Sequence, residues 1–367
     1  MKEHIAQQGS SRWSSGSELL SGLSVLEITS GVAGAYCSSI LASLGCKVTR
    51  ISTTTAIDTD GEAMRVTNDF VHRRKVEIGP EEALATARGV DIVVMDTSPS
   101  LAALRHQVLV PGALKEGAIP LIYSFASVQE DARRSGSALT SEAAAAISIS
   151  VGERAGAPLM LPCNFSEYQA GISGVSAVLA ALLGRASSGL LPVEVSVRDV
   201  VARSAGTLAQ NFVPYGRPWR RDGRRPPQSG GVYPCGLFPC KDGYVAIYCR
   251  GTKEWKGLVS AMGEPEWSRE PRFEDPRRIA MEHADDADVH LLPWLNQLTR
   301  QQVTDLAREY DFPASEVRYV DEVFADEQFR YRGSFEAFQV ATLGRSILMP
   351  SVPWRVTAMN KGDAHAR

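Results

Sequence analysis

The stretch GLSVLEITSGVAGAYCSSILASLGCKVTRI, residues 22–51, decides the fold class of this chain. LSVLEIT (23–29) is a short apolar run bounded by Gly22 and Gly31, the pattern of a buried strand. GAYCSSILASLG (34–45) carries apolar residues at helical spacing and stops at Gly45, a residue that closes helices because left-handed backbone costs it nothing. CKVTRIS (46–52) reads as a second strand. Strand, helix and strand in that order favour a parallel pair joined by a right-handed crossover.

Working outward, the alternation repeats. KVEI (75–78), VDIVVMD (90–96), IPLIYSFAS (119–127) and PVEVSV (192–197) are predicted strands. PEEALATARG (80–89), SLAALRHQVL (100–109) and SEAAAAISISVG (141–152) are predicted helices, and a longer one follows in CNFSEYQAGISGVSAVLAALLG (163–184). The fold class is therefore α/β, a Rossmann-like large domain with a parallel sheet. Residues 19–205 form its N-terminal part, and the Pro-, Gly- and Arg-rich 206–230 reads as a linker. A smaller α+β domain is expected over 231–328. It contains a hairpin in GLFPCKDGYVAIYC (236–249) and an amphipathic helix in TRQQVTDLAREYDF (299–312), with Val303, Leu306 and Ala307 on one face. Residues 329–360 return to the large domain as strand-like pieces. The ends of the chain, 1–18 and NKGDAHAR (360–367), are polar.

Composition narrows the function classes. The net charge of −3 gives no global electrostatic case for nucleic acid or an anionic membrane, and RRDGRR (220–225) has the character of a solvated loop. Six cysteines occur without a CxxC pair, which disfavours zinc and a disulfide scaffold and fits reduced thiols. No metal site is expected. The N-terminal segment lacks the apolar core of a signal peptide, and the longest apolar stretch, 171–184, is too short to span a bilayer. The expected location is cytoplasmic. GVAG (31–34) is too short for a dinucleotide fingerprint.

One carboxylate, Glu167, stands where the polar start of the 163–184 segment meets its apolar stripe. It has two readings. Asn164 and Glu167 fit a variant of the capping box, and an acid in the first turn suits the helix dipole. Alternatively, the carboxylate is held at a helix start, with Ala170 and Gly171 behind it, to attack a carbonyl as a nucleophile.

Five collinear pieces bear on that choice: 22–51, DGEAMR (60–65) with DIVVMD (91–96), 168–197, VYPCGLFPCKDGYVAI (232–247) and FPASEVRYVDEVFADEQFRYRGSF (312–335). Together they resemble the family III CoA-transferases, the CaiB/BaiF family. The resemblance implies an interlocked dimer, or a heteromer with a paralogous subunit. It implies acyl-CoA and a carboxylic acid acceptor as substrates, with coenzyme A carried as a thioester and no tightly bound cofactor. The family's nucleophilic Asp falls four residues before Gly171, where this chain has Glu167. Glu is chemically competent, but its extra methylene displaces the carboxylate by about 1.5 Å.

The implied CoA contacts are Ser30, Gly31, Val32 and Ala33 on the turn and helix start, Thr53 after the second strand, then Arg73, Arg74, Asp96 and Arg105. Where the family often has Asn-Phe-Arg-Pro-Gly, this chain has Asp96-Thr97-Ser98-Pro99-Ser100, which adds a negative charge. Three functions follow. The first is CoA transfer through a covalent intermediate on Glu167. The second is a non-catalytic subunit of a heteromeric transferase. The third is an acyl-CoA isomerase or lyase using Glu167 as a base. The similar α-methylacyl-CoA racemases need a His that GSALTSEAAA (136–145) lacks.

Overall fold

Apolar runs separated by small-residue helices produce a six-stranded, all-parallel sheet. The computed structural model describes residues 19–52, 61–125, 136–153, 155–184, 192–204, 216, 231–340 and 343–354. Thr53, the ends of the chain and the 206–230 linker apart from Gly216 lie outside the described residues. The strands are β1 (Ser24–Ile28), β2 (Lys47–Ile51), β3 (Lys75–Ile78), β4 (Ile92–Asp96), β5 (Ile119–Ser124) and β6 (Val193–Ser196), in the spatial order β3-β2-β1-β4-β5-β6. The chain builds outward from β1 to β3 on one side and from β4 to β6 on the other. The order reverses between β1 and β4, which opens a crevice at their carboxyl ends.

The helices between the strands are α1 (Val32–Ser43), α2 (Glu62–His72), α3 (Ala83–Ala87), α4 (Ala102–Val108), α5 (Ala138–Ala144), α6 (Phe165–Gly184) and α7 (Val197–Ser204). On one face of the sheet Leu26, Ile28, Val93 and Met95 pack with Ala83, Ala87 and Val108. Each such buried aliphatic side chain contributes roughly 1.5–3 kcal/mol. On the other face lies α1, whose Ala, Gly, Ser and Cys residues are buried on nearly every side. Small residues are needed there because α6 closes on α1. A Cβ at Gly171 of α6 would come within 2.9 Å of the Ala33 carbonyl oxygen. Gly45, left-handed at φ 106°, ends α1 as expected.

Three helices differ from expectation, and in one of them 100–109 becomes a 3₁₀ turn (Pro99–Leu101) followed by α4. The segment 80–89 divides into a short 3₁₀ turn (Pro80–Glu82) and α3. The helix expected over 141–152 starts earlier and stops earlier, as α5. Ser137 caps it by accepting from the Thr140 N–H, and Ala146, left-handed at φ 64°, lies just beyond its end.

Alternation along β1 turns Glu27 toward α1, where it is buried. Its partner is Lys75 at the start of β3, fully buried, with Nζ 2.6 Å from Glu27 Oε2. The ammonium also donates to the Ala35 carbonyl oxygen (2.8 Å) and Ser38 Oγ (2.9 Å), so its three protons all find acceptors. Ser38 Oγ and Thr29 Oγ1 complete the shell around Glu27. Burial pushes the Glu27 carboxyl up, but Lys75, His72 and the hydrogen bonds outweigh it and hold the group below its ordinary range. His72 is pushed down to about 4, chiefly by burial, and is neutral at pH 7. The network ties β1, β3 and the first half of α1 together.

The described residues divide into two compact units. The first contains the parallel sheet. The second takes in Ala146–Met160 and the described part of Ala205–Ala325. Its antiparallel sheet is β7 (Cys235–Cys240), β8 (Gly243–Tyr248) and β9 (Ala314–Glu316), in that order. β7 and β8 form the expected hairpin, Cys240 pairing with Gly243 across the turn. Helices α8 (Thr252–Ala261), α9 (Ala284–Leu295) and α10 (Arg300–Glu309) enclose a core that includes Phe238, Ile247, Trp255 and Leu291. Val303 and Ala307 of α10 are buried in that core and Leu306 packs against it. An antiparallel pair, β10 (Phe335–Val340) and β11 (Arg345–Pro350), belongs to the first unit. Among the described residues no helix is long and apolar enough to cross a membrane.

Replacing Lys75 by Met leaves Glu27 as a buried charge without its counter-ion. Lys75→Met is expected to lower the unfolding free energy by roughly 3–5 kcal/mol, and Glu27→Gln in the same chain to recover most of that loss. Urea denaturation at pH 7 is the check; a Lys75→Met protein as stable as the parent would contradict the assignment.

Candidate active site

A cavity of about 370 Å³ opens at the carboxyl edge of the sheet, where the strand order reverses. Its wall is built from residues 30–34 at the start of α1, residues 96–99 after β4, the end of β5, and Asn164 and Glu167 at the start of α6. The size suits part of a small-molecule substrate.

The local backbone aims Glu167. Cys163 (φ 59°) and Asn164 (φ 52°) are consecutive left-handed residues, an uncommon arrangement outside glycine that turns the chain sharply into α6. The Glu167 N–H then donates to the Asn164 carbonyl oxygen at 3.0 Å. The Glu167 side chain crosses to α1, where Oε2 accepts the Val32 N–H at 3.0 Å. The Ala33 N–H is a second donor to the carboxylate. The capping reading is therefore corrected: the carboxylate caps α1 and not its own helix. Tyr123 of β5 seats α6 from below, its hydroxyl donating to the Gly171 carbonyl oxygen at 3.3 Å. A Cβ at Gly174 would fall on that hydroxyl.

Gly31, the N-cap of α1, has no side chain with which to satisfy the helix's free N–H groups. Asp96, at the end of β4, supplies the remaining acceptor. Its Oδ2 takes the Ser30 N–H (2.6 Å), the Gly31 N–H (3.1 Å) and the Ser30 hydroxyl (3.2 Å). Oδ1 takes the Ser98 N–H at 3.0 Å. Two carboxylates thus divide the amides at one helix N-terminus. Burial raises the Glu167 pKa above its ordinary 4.5, and the charge of Asp96 adds to the rise; the Val32 and Ala33 N–H groups act in the opposite sense. Only 8% of Glu167 is exposed.

Ser30, Gly31, Val32, Ala33, Asp96 and Glu167 are brought together around the cavity. The three arginines are placed elsewhere. Arg73 lies over the Phe70 ring (4.0 Å) and reaches Glu336 and the Pro350 carbonyl oxygen on the β10–β11 pair. Arg74, itself left-handed at φ 67°, also pairs with Glu336, at 3.3 Å. Arg105 donates to the backbone carbonyls of Asp96 (2.6 Å) and Ser98 (3.4 Å) and so braces the loop from behind. Among the described residues the cavity wall holds no Arg or Lys. Sequence reasoning did not assign Tyr123, Ser137, Asn164 and Val197 to the wall. The rule that ligands bind at strand carboxyl ends would have found Tyr123 and Val197, which sit at or just past the ends of β5 and β6. Ser137 is fixed only by the tertiary fold. Among the described residues no cluster of His, Cys, Asp or Glu has the makings of a metal site.

The site is a buried carboxylate at the reversal point of a Rossmann-type parallel sheet, and comparison with known families gives the class. The chain belongs to CoA-transferase family III, whose family model matches residues 20–366. It is 25% identical over 363 residues to the succinyl-CoA–L-malate CoA-transferase alpha subunit of Chloroflexus aurantiacus, covering 91% of this chain and 82% of that one. It is 27% identical over 191 residues to the beta subunit, covering 52% of this chain but only 46% of the relative. A CaiB/BaiF family protein from Brucella suis has the same fold, with a TM-score of 0.78, 21% identity and 92% of each chain covered.

A carboxylate with a raised pKa favours the folded state when protonated and opposes it when ionised. That cost is present at neutral pH and fades as pH falls through the folded pKa toward and below the ordinary 4.5. Glu167→Gln keeps an acceptor for Val32 and removes the charge. It is expected to raise Tm at pH 7 by about 2–4 °C, with the gain shrinking toward zero below pH 4.5. Thermal melts across pH 4–8 test this; a variant less stable than the parent at pH 7 would contradict it.

Proposed function

We propose that this protein transfers CoA from an acyl-CoA to a carboxylic acid, with Glu167 as the covalent carrier. The observation that carries the reading is the placement of Glu167: buried, lining the cavity, and held at Oε2 by the Val32 N–H of α1. The other oxygen is left to act as the nucleophile. It attacks the thioester carbonyl, the new C–O bond forms, the C–S bond breaks, and CoA leaves as thiolate. The thiolate then attacks the Glu167 Cδ of the mixed anhydride, releasing the first acid and forming a glutamyl-CoA thioester. The acceptor carboxylate attacks Cδ in turn and displaces the thiolate. The thiolate attacks the acceptor's carbonyl, giving the new acyl-CoA and restoring Glu167.

The amides of Val32 and Ala33 support every step at Cδ. When Cδ becomes tetrahedral, the developing oxyanion is Oε2, already held by the Val32 N–H. Preorganised donors of this kind are each worth about 10²–10³-fold in rate. The raised pKa of Glu167 makes its oxygen the more basic and therefore the stronger nucleophile once ionised. The extra methylene of Glu over Asp is consistent with this seat, since the carboxylate reaches across to α1 rather than remaining above α6.

The second reading, a subunit of a heteromeric transferase, takes its support from one observation together with the names of two relatives. The described wall provides no cation for the phosphates of CoA, and the arginines expected there are committed elsewhere. Two related chains are the alpha and beta subunits of a succinyl-CoA–L-malate CoA-transferase. A partner, either a second copy in an interlocked dimer or a paralogous subunit, would then complete the nucleotide end. Cytoplasmic localisation accompanies either arrangement.

Exposure to a panel of acyl-CoAs followed by hydroxylamine is expected to leave a hydroxamate on Glu167, read by peptide mass spectrometry. Glu167→Ala should lose at least about 10³-fold in kcat, and Glu167→Asp about 10²-fold from misplacement alone. The acid limb of the kcat profile should lie above pH 4.5. An unmodified Glu167 under turnover, alone and with any paralogous subunit, would overturn the proposal.

A further inference from the structure

The loop after β4 carries a second carboxylate beside the nucleophile. We propose that Asp96 sets the substrate class: it fills from within the chain the amide nest next to Glu167, so that the cavity takes acyl groups without charge and turns away those bearing a second carboxylate. The inference rests on the reading of Glu167 as the acyl carrier.

Four donors converge on Asp96: the Ser30 N–H and hydroxyl, the Gly31 N–H and the Ser98 N–H. Successive backbone amides at a helix start form a concavity that binds anions. Were Asp96 absent, that concavity would hold a substrate carboxylate. With Asp96 in place, each of these donors is already engaged. The two carboxylates also flank one glycine. A Cβ at Gly31 would meet Glu167 Oε2 at 3.5 Å and Asp96 Oδ2 at 3.8 Å. The Glu167 carboxylate that would carry the acyl group therefore stands beside Asp96.

Charge accounting follows the reaction. Glu167 loses its charge on forming the anhydride or the thioester, so the single reacting carboxylate of the acceptor restores the charge the site held before as it attacks Cδ. A further carboxylate has no such place. It meets the Asp96 anion, while Arg105 directs its Nη1 to the backbone carbonyls of Asp96 and Ser98 and is absent from the described cavity wall. At about 6 Å and an effective dielectric near 20, repulsion between two unit charges disfavours such a group roughly tenfold to a hundredfold. The remaining wall, with Val32, Ala33, Phe125 and Val197, suits an apolar chain.

The test compares butyryl-CoA with succinyl-CoA as donors, by Kd and by kcat/KM, using the intact protein with any subunit it requires. The parent is expected to favour butyryl-CoA at least about tenfold. Asp96→Asn should bring the ratio to within about threefold, and Asp96→Ser serves where the amide variant does not fold. Equal or better use of succinyl-CoA by the parent overturns the inference without any variant. So does an unchanged ratio in a folded Asp96 variant. Labelling of Glu167 from both donors alike removes this inference and leaves the carrier reading standing. A preference in Kd with no adduct on Glu167 removes the carrier reading instead, and with it the inference.

Discussion

The N-terminus of α1 is the constraint on which the rest of the site depends. A helix start exposes amide N–H groups that must find acceptors, and Gly31 brings no side chain to the task. The acceptors come from two distant parts of the chain: Asp96 from the end of β4 and Glu167 from the first turn of α6. One electrostatic requirement thus draws three elements together at the point where the sheet reverses. The product is a buried carboxylate with a donor already aimed at one of its oxygens.

Beneath this arrangement the Glu27–Lys75 pair performs a related task. It anchors α1 to β1 and β3 through a buried ammonium whose protons reach Glu27, Ala35 and Ser38. A charged pair in a core adds little to stability compared with apolar packing. Its directionality is what an apolar contact cannot provide, and it fixes the turn from which the Val32 and Ala33 amides project. Small residues serve the same end from above. Gly171 and Gly174 let α6 lie close to α1 and to Tyr123, which brings Glu167 within reach.

The fold was legible because its signal is local. Strand-length apolar runs, helix starts and closing glycines each act over a few residues, and the 22–51 stretch contained all of them. The 141–152 segment shows where local reasoning fails. Its alanines favour helix throughout, yet Ser137 caps the helix earlier and a left-handed Ala146 lies just past its end. Glu27 gave no warning either. It looked like one charge in an apolar strand, and its counter-ion lies 48 positions away.

The sequence by itself determined the doubly wound sheet, the position of Glu167 at a helix start and the kinship with CoA-transferases. These follow from periodicity and from motifs in register. The tertiary structure alone decided what the charges do. Arg73 and Arg74 read as anchors for phosphate, and both pair with Glu336, more than 260 residues on. Asp96 read as an intruding charge and is a cap for α1. The physical reason is that a charge takes its role from the partners within a few ångströms, and those partners are set by packing between segments that sequence order keeps far apart.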